Sequence, residues 1–239
     1  MKRKQEFFDI YRHGFVRVAA CIPEVRVSDP TFNASKILEL VHRAHAKKAV
    51  LAVFPELCVS AYSNEDLFFQ EALLCSAGNA LSHILQETSG LDMAIVVGAP
   101  LQVEGGLYNC GVVMHRGVIM GVAVKSYLPD YREFYEARHF RSSRELPVDE
   151  IDLCSQSRVP IGADLLFRVP SLPGFRFFVE ICEDLWSPVP PSSYAALAGI
   201  QNSGSDRMTV NGWTIWKTEK GEFLSDLRDK FLISHKSVE

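Results

Sequence analysis

The chain has 239 residues, 47% of them hydrophobic and 10% aromatic, which is compatible with one large α/β domain. Its 25 basic and 29 acidic residues leave a formal net charge of −4, which argues against a general nucleic-acid-binding surface. No apolar run is long enough to cross a bilayer, and no apolar stretch of a secretory signal follows the basic start, so we expect a cytoplasmic protein without a membrane partner.

The first third of the chain alternates strand-like and helix-like segments. Residues 15–21 are predicted to form a first strand, and the helix that follows is expected to be capped by Asn33 or Ser35. Residues 50–54 form a continuous apolar strand, and a second helix is predicted from about residue 65 to 87. This alternation is typical of α/β proteins.

A third buried strand and a hairpin come next. Residues 93–98 are apolar throughout, and residues 109–114 and 118–124 flank a His-Arg-Gly turn that suits a β-hairpin. Because the strands are continuously apolar instead of alternating, both faces of the sheet should be covered. The sequence therefore predicts a layered α/β fold.

Cys182 ends a strand-like run and precedes a bend. The run is residues 177–181, and two acids and a proline-rich stretch follow the cysteine. A cysteine at the tip of a buried strand can expose its sulfur into a cleft, as a covalent nucleophile must. The alternative is a buried structural thiol, since free cysteine is among the most buried residue types.

The six cysteines and seven histidines suggest neither disulfides nor a metal centre. No two cysteines have a C-x-x-C spacing, so free thiols are expected in a reducing compartment. The histidines are scattered along the chain, without acids or thiols that would complete a ligand set, and no metal site is predicted.

Three reactive residues each follow the end of an apolar strand: Glu56, Lys125 and Cys182. In open α/β sheets chemistry collects at the carboxyl ends of strands, so folding could bring the three together. They would suffice for amide cleavage, with a cysteine nucleophile, a glutamate base and a lysine beside the oxyanion. Taken singly, Glu56 could be a turn acid and Lys125 a solvated strand-end charge.

The order Glu–Lys–Cys, together with its flanking residues, resembles the nitrilase (carbon–nitrogen hydrolase) superfamily. Residues 54–68, 125–140 and 180–193 are similar to the glutamine-hydrolysing domain of glutamine-dependent NAD synthetases. These blocks are long and specific, and the resemblance covers roughly residues 14–199.

The resemblance implies a fold, a reaction and partners. The fold would be an αββα sandwich of the nitrilase type, incomplete at its C-terminus. L-Glutamine would be hydrolysed to glutamate and ammonia through a thioester on Cys182, with Glu56 as general base and Lys125 stabilising the oxyanion. Ammonia would then pass to a synthetase half that amidates deamido-NAD, although a homo-oligomer is also conceivable. ATP and Mg would belong to that synthetase half, and no cofactor is expected in this chain.

Two further residues gain expected roles in substrate binding. Tyr131 falls where the family places a glutamine-binding tyrosine, although an aromatic packing on the rim is an equal alternative on physical grounds. Glu183 could meet the substrate amine, with a plain sheet-edge acid as the alternative. Glu133 or Glu136 could supply the extra acid that some members use beside the lysine, but a salt bridge to a neighbouring arginine is the plainer expectation.

The resemblance fails after residue 199. We therefore divide the chain into a nitrilase-like domain, residues 1–199, and a divergent tail, residues 200–239. The family's Asn-x-Ser-x-Ser segment is only echoed at residues 202–207, while residues 209–216 could form a hairpin around Asn-Gly. No Ser-Gly-Gly-x-Asp-Ser loop and no Gly-x-x-x-x-Gly-Lys loop occurs, so no synthetase domain is expected.

Two other functions stay open. The same three residues would serve a stand-alone amidase that acts on another small amide. Alternatively, the divergent tail could leave the cleft unformed, in which case the chain would be an inactive remnant that acts only as an interaction module.

Overall fold

A computed structural model describes residues 10–13, 15–169, 172, 175–200, 207–210 and 213–216. The α-helices are α1 (Pro30–Ala46), α2 (Glu71–Glu87) and α3 (Pro191–Ala195). The strands are β1 (Val18–Ala20), β2 (Leu51–Val53), β3 (Ala94–Val103), β4 (Gly106–His115), β5 (Val118–Val124), β6 (Glu150–Leu153), β7 (Gln156–Gly162), β8 (Leu166–Arg168), β9 (Arg176–Phe178), β10 (Glu180–Ile181), β11 (Arg207–Val210) and β12 (Trp213–Trp216).

Seven strands form the main sheet, in the order β1-β2-β3-β4-β5-β7-β6. Strands β1, β2 and β3 are parallel, and β4 is antiparallel to both β3 and β5. As a result β2, β3 and β5 all point in the same direction. The segments that follow β2 and β5 therefore emerge at one edge of the sheet, where sites in open α/β sheets are found.

The main sheet is buried on both faces. One face packs against α1 and α2, in a core that contains Ile37, Leu81 and Val97. The other face packs against β9 and β10, with Phe177 and Ile181 in contact with the remaining core. This burial on both sides confirms the prediction that was made from the continuously apolar strands.

A smaller set of strands leads to the cysteine. Strand β9 pairs with β8, whereas β10 pairs with β12, and only Val179 separates β9 from β10. Strands β11 and β12 are antiparallel, with Val210 opposite Trp213, so the hairpin expected around Asn-Gly is confirmed.

Helix α1 begins earlier than predicted, and the expected cap was wrong. Asp29 is the N-cap: its carboxylate accepts a hydrogen bond from the Phe32 N–H at 3.0 Å, and Pro30 occupies the first turn, where proline is favoured. Asn33 instead lies inside the helix, fully buried, and its amide donates to the backbone carbonyl groups of Arg26 and Val59.

Other boundaries also differ from the prediction. The single helix expected over 65–87 is a 3₁₀ helix, Glu65–Phe69, followed by α2, because the backbone of Gln70 is extended. The third strand continues beyond residue 98 to Val103, and β6 and β7 extend the main sheet beyond β5 without having been predicted.

Parts of the predicted tail lie outside the described residues, including 202–206 and 217–239. The division of the chain at residue 199 therefore stays a prediction. Within the part that the structure describes, no helix combines the length and the apolar character that a membrane span needs.

Candidate active site

Glu56, Lys125 and Cys182 lie together at the edge of the main sheet where β2 and β5 end. The Lys125 Nζ atom donates to Glu56 Oε1 at 2.6 Å. The Cys182 thiol lies close to the Glu56 carboxylate and to Lys125, whose charges act on the pKa of the thiol in opposite directions. Residues that are far apart in the sequence thus form one contiguous cluster, as the sequence predicted.

Glu56 is carried by a tight turn that rests on β3. In that turn the Cys58 N–H donates to the Pro55 carbonyl, and the Val59 N–H donates to the Gly98 carbonyl at 3.0 Å. A side chain at position 98 would overlap the backbone from Pro55 to Leu57, so only glycine allows this close approach.

Cys182 occupies a strained backbone position. It follows β10 directly, opens the 3₁₀ helix Cys182–Trp186 and has a φ angle of +46°. This left-handed conformation is costly for a residue with a side chain, at about 1–3 kcal/mol, and is kept only where the surroundings impose it. The abrupt turn leaves the cysteine half-buried beside Glu56, as a nucleophile at a strand-to-helix elbow would be.

Lys125 is fully buried between two carboxylates. Besides Glu56, its Nζ contacts both carboxylate oxygens of Glu136 at 2.8 Å. Burial alone would lower the pKa of Lys125, but the charges of Glu56 and Glu136 outweigh it, so the pKa lies above its ordinary value. The ammonium group therefore stays charged at neutral pH.

Glu136 is the acid that stands beside the lysine. The expectation of a simple salt bridge between this residue and an arginine was wrong, because Arg138 instead forms a bidentate pair with Asp66 at 2.8 Å. Burial raises the pKa of Glu136, the Lys125 charge opposes this shift, and the nearby Glu56 carboxylate adds to it.

The Cys182 thiol is protonated in the resting site. The pKa of the Cys182 thiol is raised to about 12, mainly by burial and secondly by the nearby Glu56 carboxylate. The positive charge of Lys125 offsets this shift only in part. Formation of a thiolate would therefore need a base, and the Glu56 carboxylate is the acidic group that lies beside the thiol.

Asp184 joins the lysine segment to the cysteine segment. Its Oδ1 accepts hydrogen bonds from the Ser126 and Tyr127 N–H groups at 2.9 and 2.8 Å, and its Oδ2 accepts one from the Ile181 N–H at 3.0 Å. Burial raises the pKa of Asp184 to about 7, against the effect of these three donors. Sequence reasoning missed this role, although the position, two residues after Cys182, was visible.

Asn109 is a second residue of the site that the sequence did not predict. It lies in β4, fully buried, and its Nδ2 donates to Glu56 Oε1 at 2.5 Å. An asparagine within the otherwise apolar stretch 107–114 was the signal that could have drawn attention to it, because buried polar side chains are usually there for a partner.

The two predicted substrate-binding residues meet at the rim. The Tyr131 hydroxyl, on a half-exposed side chain, donates to Glu183 Oε2 at 2.9 Å. Tyr62 is a third polar side chain near the cluster, and its hydroxyl donates to Glu136 Oε1 at 2.8 Å. Glu133, the other acid considered beside the lysine, lines a cavity of about 230 Å³ together with Tyr62 and Glu136.

A larger cavity of about 560 Å³ is mainly apolar and lies at the opposite end of the strands, against Met93, Val113 and Phe177. Among the residues that the structure describes, no group of three or more His, Cys, Asp or Glu side chains is arranged to hold a metal ion.

Comparison with known proteins identifies the family. The sequence profile of carbon–nitrogen hydrolases matches residues 17–201, most of the chain. The chain belongs to the carbon–nitrogen hydrolase family. Similar relatives include proteins of Mycobacterium bovis and Mycobacterium leprae, both named glutamine-dependent NAD(+) synthetase, which are 47% and 43% identical to it.

Solved structures give the same result for this carbon–nitrogen hydrolase. The glutamine-dependent NAD(+) synthetase of Cytophaga hutchinsonii superposes with a TM-score of 0.63 and 26% identity, over 70% of this chain and 28% of that one. The corresponding enzyme of Acinetobacter baumannii, solved with ADP, gives 0.59 and 28% identity, over 76% and 30%. The predicted nitrilase-type fold is thereby confirmed.

This carbon–nitrogen hydrolase spans only part of the length of these relatives. The alignments with the mycobacterial proteins cover 81% of this chain but 28% of theirs. The similarity therefore concerns one portion of a much longer relative.

Proposed function

We propose that this chain hydrolyses the side-chain amide of L-glutamine, as the glutaminase portion of an NAD synthetase does. The convergence of Glu56, Lys125 and Cys182 on one buried cluster carries the proposal. The similarity to glutamine-dependent NAD(+) synthetases supports glutamine as the substrate in preference to another amide.

In the first half-reaction Cys182 is the nucleophile. Its sulfur attacks the amide carbon of the substrate while Glu56 takes the thiol proton, and the carbonyl oxygen becomes an oxyanion that faces the Lys125 ammonium. The carbon–nitrogen bond then breaks, the nitrogen receives the proton held by Glu56, and ammonia leaves. A thioester on Cys182 remains.

In the second half-reaction water replaces ammonia. Glu56, again a carboxylate, takes a proton from the water as its oxygen attacks the thioester carbon. A second oxyanion forms beside Lys125, the carbon–sulfur bond breaks and glutamate leaves. The proton on Glu56 returns to the sulfur, which restores the resting thiol.

The surrounding residues support this chemistry without taking part in bond making. Glu136 is suited to hold the Lys125 ammonium in place through two 2.8 Å contacts. At the rim, the Glu183 carboxylate is suited to bind the α-ammonium group of glutamine, and Tyr131, already bonded to Glu183, is suited to border the same pocket.

The ammonia would serve an ATP-dependent amidation of deamido-NAD carried out by a synthetase half. ATP and Mg would be bound by that half and not by the Glu56–Lys125–Cys182 cluster. A synthetase half is the preferred partner, with a homo-oligomer as the alternative, and a cytoplasmic location stays a prediction.

The test is glutamate release from glutamine, measured with and without a synthetase half supplied in trans. Cys182→Ala and Glu56→Ala should abolish turnover with the fold intact by circular dichroism, whereas Cys75→Ala, an exposed cysteine on α2, should not affect it. Near wild-type turnover in either active-site variant would refute the assigned roles.

A panel of amides and a covalent probe separate the competing functions. Faster turnover of a simple aliphatic amide than of glutamine would indicate a stand-alone amidase. A glutamine-analogue electrophile such as 6-diazo-5-oxo-L-norleucine should label Cys182 in the wild type. Failure to label a folded sample would show that the chain is an inactive remnant.

A further inference from the structure

Asn109 is a fully buried polar residue between two fully buried neighbours on β4, Tyr108 and Cys110. Burying an amide costs free energy unless its hydrogen bonds are made, so a position like this needs a specific partner. The Asn109 side-chain amide donates to Glu56, which is a member of the proposed catalytic cluster.

Asn109 contacts two of the three cluster residues at once. Its side-chain Nδ2 donates to Glu56 Oε1 at 2.5 Å, and its backbone carbonyl accepts the Lys125 N–H at 3.0 Å. Its Oδ1 is buried without a hydrogen-bond partner among the described residues. A single strand residue thus sets the position of the base relative to the lysine.

The hydrogen bond restricts what Glu56 can do. Glu56 Oε1 accepts from Asn109 Nδ2 and from Lys125 Nζ, at 2.5 and 2.6 Å. Two donors therefore occupy one carboxylate oxygen, which leaves Oε2 for proton exchange with Cys182 and with water. We infer that Asn109 is a positioning residue that fixes the rotamer of Glu56 so that Oε2 faces the thiol.

The side-chain amide is also suited to this position by its charge. The cluster already has two carboxylates, Glu56 and Glu136, around one ammonium group. An aspartate at position 109 would add a third negative charge and would repel Glu56 instead of donating to it. A neutral donor of the same shape holds the base without disturbing the charge of Lys125.

The inference rests on the proposed function and makes a kinetic prediction. Loss of this hydrogen bond would let the base move, and a displacement of about 1 Å can lower activity by about 100-fold. We expect kcat for glutamine to fall by that factor in Asn109→Ala and further in Asn109→Asp. KM should change by roughly twofold at most, because Asn109 is buried behind Glu56 and its substitution removes no contact with the substrate.

The pH profile distinguishes positioning from a merely structural role. A carboxylate that loses a hydrogen-bond donor is protonated more easily, so the acidic limb of kcat/KM should move to higher pH in Asn109→Ala. The shift should be larger in Asn109→Asp, where a carboxyl group replaces the amide. Tyr108→Phe is the matched control, since it removes a part-buried hydrogen bond from the same strand, to the Glu145 carbonyl, outside the cluster.

Alkylation of Cys182 provides a second readout that needs no substrate. Iodoacetamide labelling of the Cys182 peptide, followed by mass spectrometry from pH 5 to 10, should show the same displacement of the acidic limb in both Asn109 variants. Tyr108→Phe should keep the wild-type limb. Asn109→Asp preserves the side-chain shape, so the test does not depend on whether Asn109→Ala folds.

The outcomes separate this inference from the proposed function. If the wild type hydrolyses no glutamine, but the acidic limb of Cys182 labelling lies at higher pH in the Asn109 variants, the proposed function is wrong and the positioning role stands. If Cys182 labelling in a folded Asn109→Asp protein has the same acidic limb as in the wild type, Asn109 does not position Glu56 and the inference is overturned.

Discussion

Replacing Lys125 by methionine should cost far more stability than replacing an exposed lysine. Methionine has a similar length but no charge, so Lys125→Met would leave Glu56 and Glu136 together without a counter-charge. The side chains of these three residues are 0%, 11% and 5% exposed, so water cannot take over the role of the ammonium group.

The expected loss follows from this burial. Removing one partner of a buried ion pair typically costs about 3–5 kcal/mol, because the remaining charge is left uncompensated. A typical domain has a free energy of unfolding of about 5–15 kcal/mol, so the loss should be easy to detect. Lys36→Met is the matched control: Lys36 pairs with Glu39 on the exposed side of α1, and such pairs contribute at most about 1 kcal/mol.

The loss should also depend on pH. Burial already raises the pKa of Glu136, and without Lys125 the repulsion from Glu56 would raise it further. A carboxyl group with a raised pKa in the folded state contributes stability below its unfolded pKa and loses it as the pH rises through the folded value. The deficit of Lys125→Met should therefore be smaller near pH 5 than near pH 8.

Urea unfolding followed by circular dichroism at these two pH values measures both effects. If Lys125→Met lost no more free energy of unfolding than Lys36→Met, Lys125 would not compensate the two buried carboxylates. An equal deficit at pH 5 and pH 8 would likewise contradict a raised pKa of Glu136 in the variant. A lower m-value would indicate instead that the variant changes the compactness of one state.

Three further predictions concern the residues around the cluster. Asp184→Asn should lower the free energy of unfolding in urea by about 1–3 kcal/mol, because an amide cannot accept hydrogen bonds on both sides and leaves a buried N–H unpaired; an unchanged midpoint would contradict this. Glu136→Gln should lower kcat for glutamine by about 100-fold, since Lys125 loses a charged anchor and can move from its position; a wild-type kcat would exclude the role. Tyr131→Phe should raise KM with little change in kcat, as expected for loss of uniform binding, whereas the exposed Tyr135→Phe should change neither; equal effects would remove Tyr131 from the substrate pocket.

The sequence located the cluster because each member follows a recognisable strand. Glu56, Lys125 and Cys182 are polar residues at the ends of apolar runs, and β2 and β5 are parallel in the sheet, so their ends meet at one edge. The apolar runs mark the ends of the strands, and the parallel strands bring those ends to one edge of the sheet. The sequence could therefore predict that these three distant residues lie together.

The sequence could not locate the residues that hold the cluster in place. Asn109 and Asp184 act through hydrogen bonds to residues 53 and about 57 positions away, and no local pattern encodes such partners. The helix cap was missed for a related reason. Asn33 has a good capping side chain, but its burial and its bonds to Val59 outweigh that propensity.

The charges of the cluster explain why Glu56, and not solvent, should deprotonate Cys182. With Lys125 as an ammonium and Glu56 and Glu136 as carboxylates, the resting cluster has one net negative charge. Transfer of the thiol proton to Glu56 leaves that total unchanged, whereas its loss to water would add a second buried negative charge. Because burial and the charge of Glu56 raise the pKa of Cys182 to about 12, the external route is strongly disfavoured near neutral pH. In the proposed mechanism, internal transfer would neutralise Glu56 as the thiolate forms, so the Lys125 charge would become available to the oxyanion at the step where it is needed.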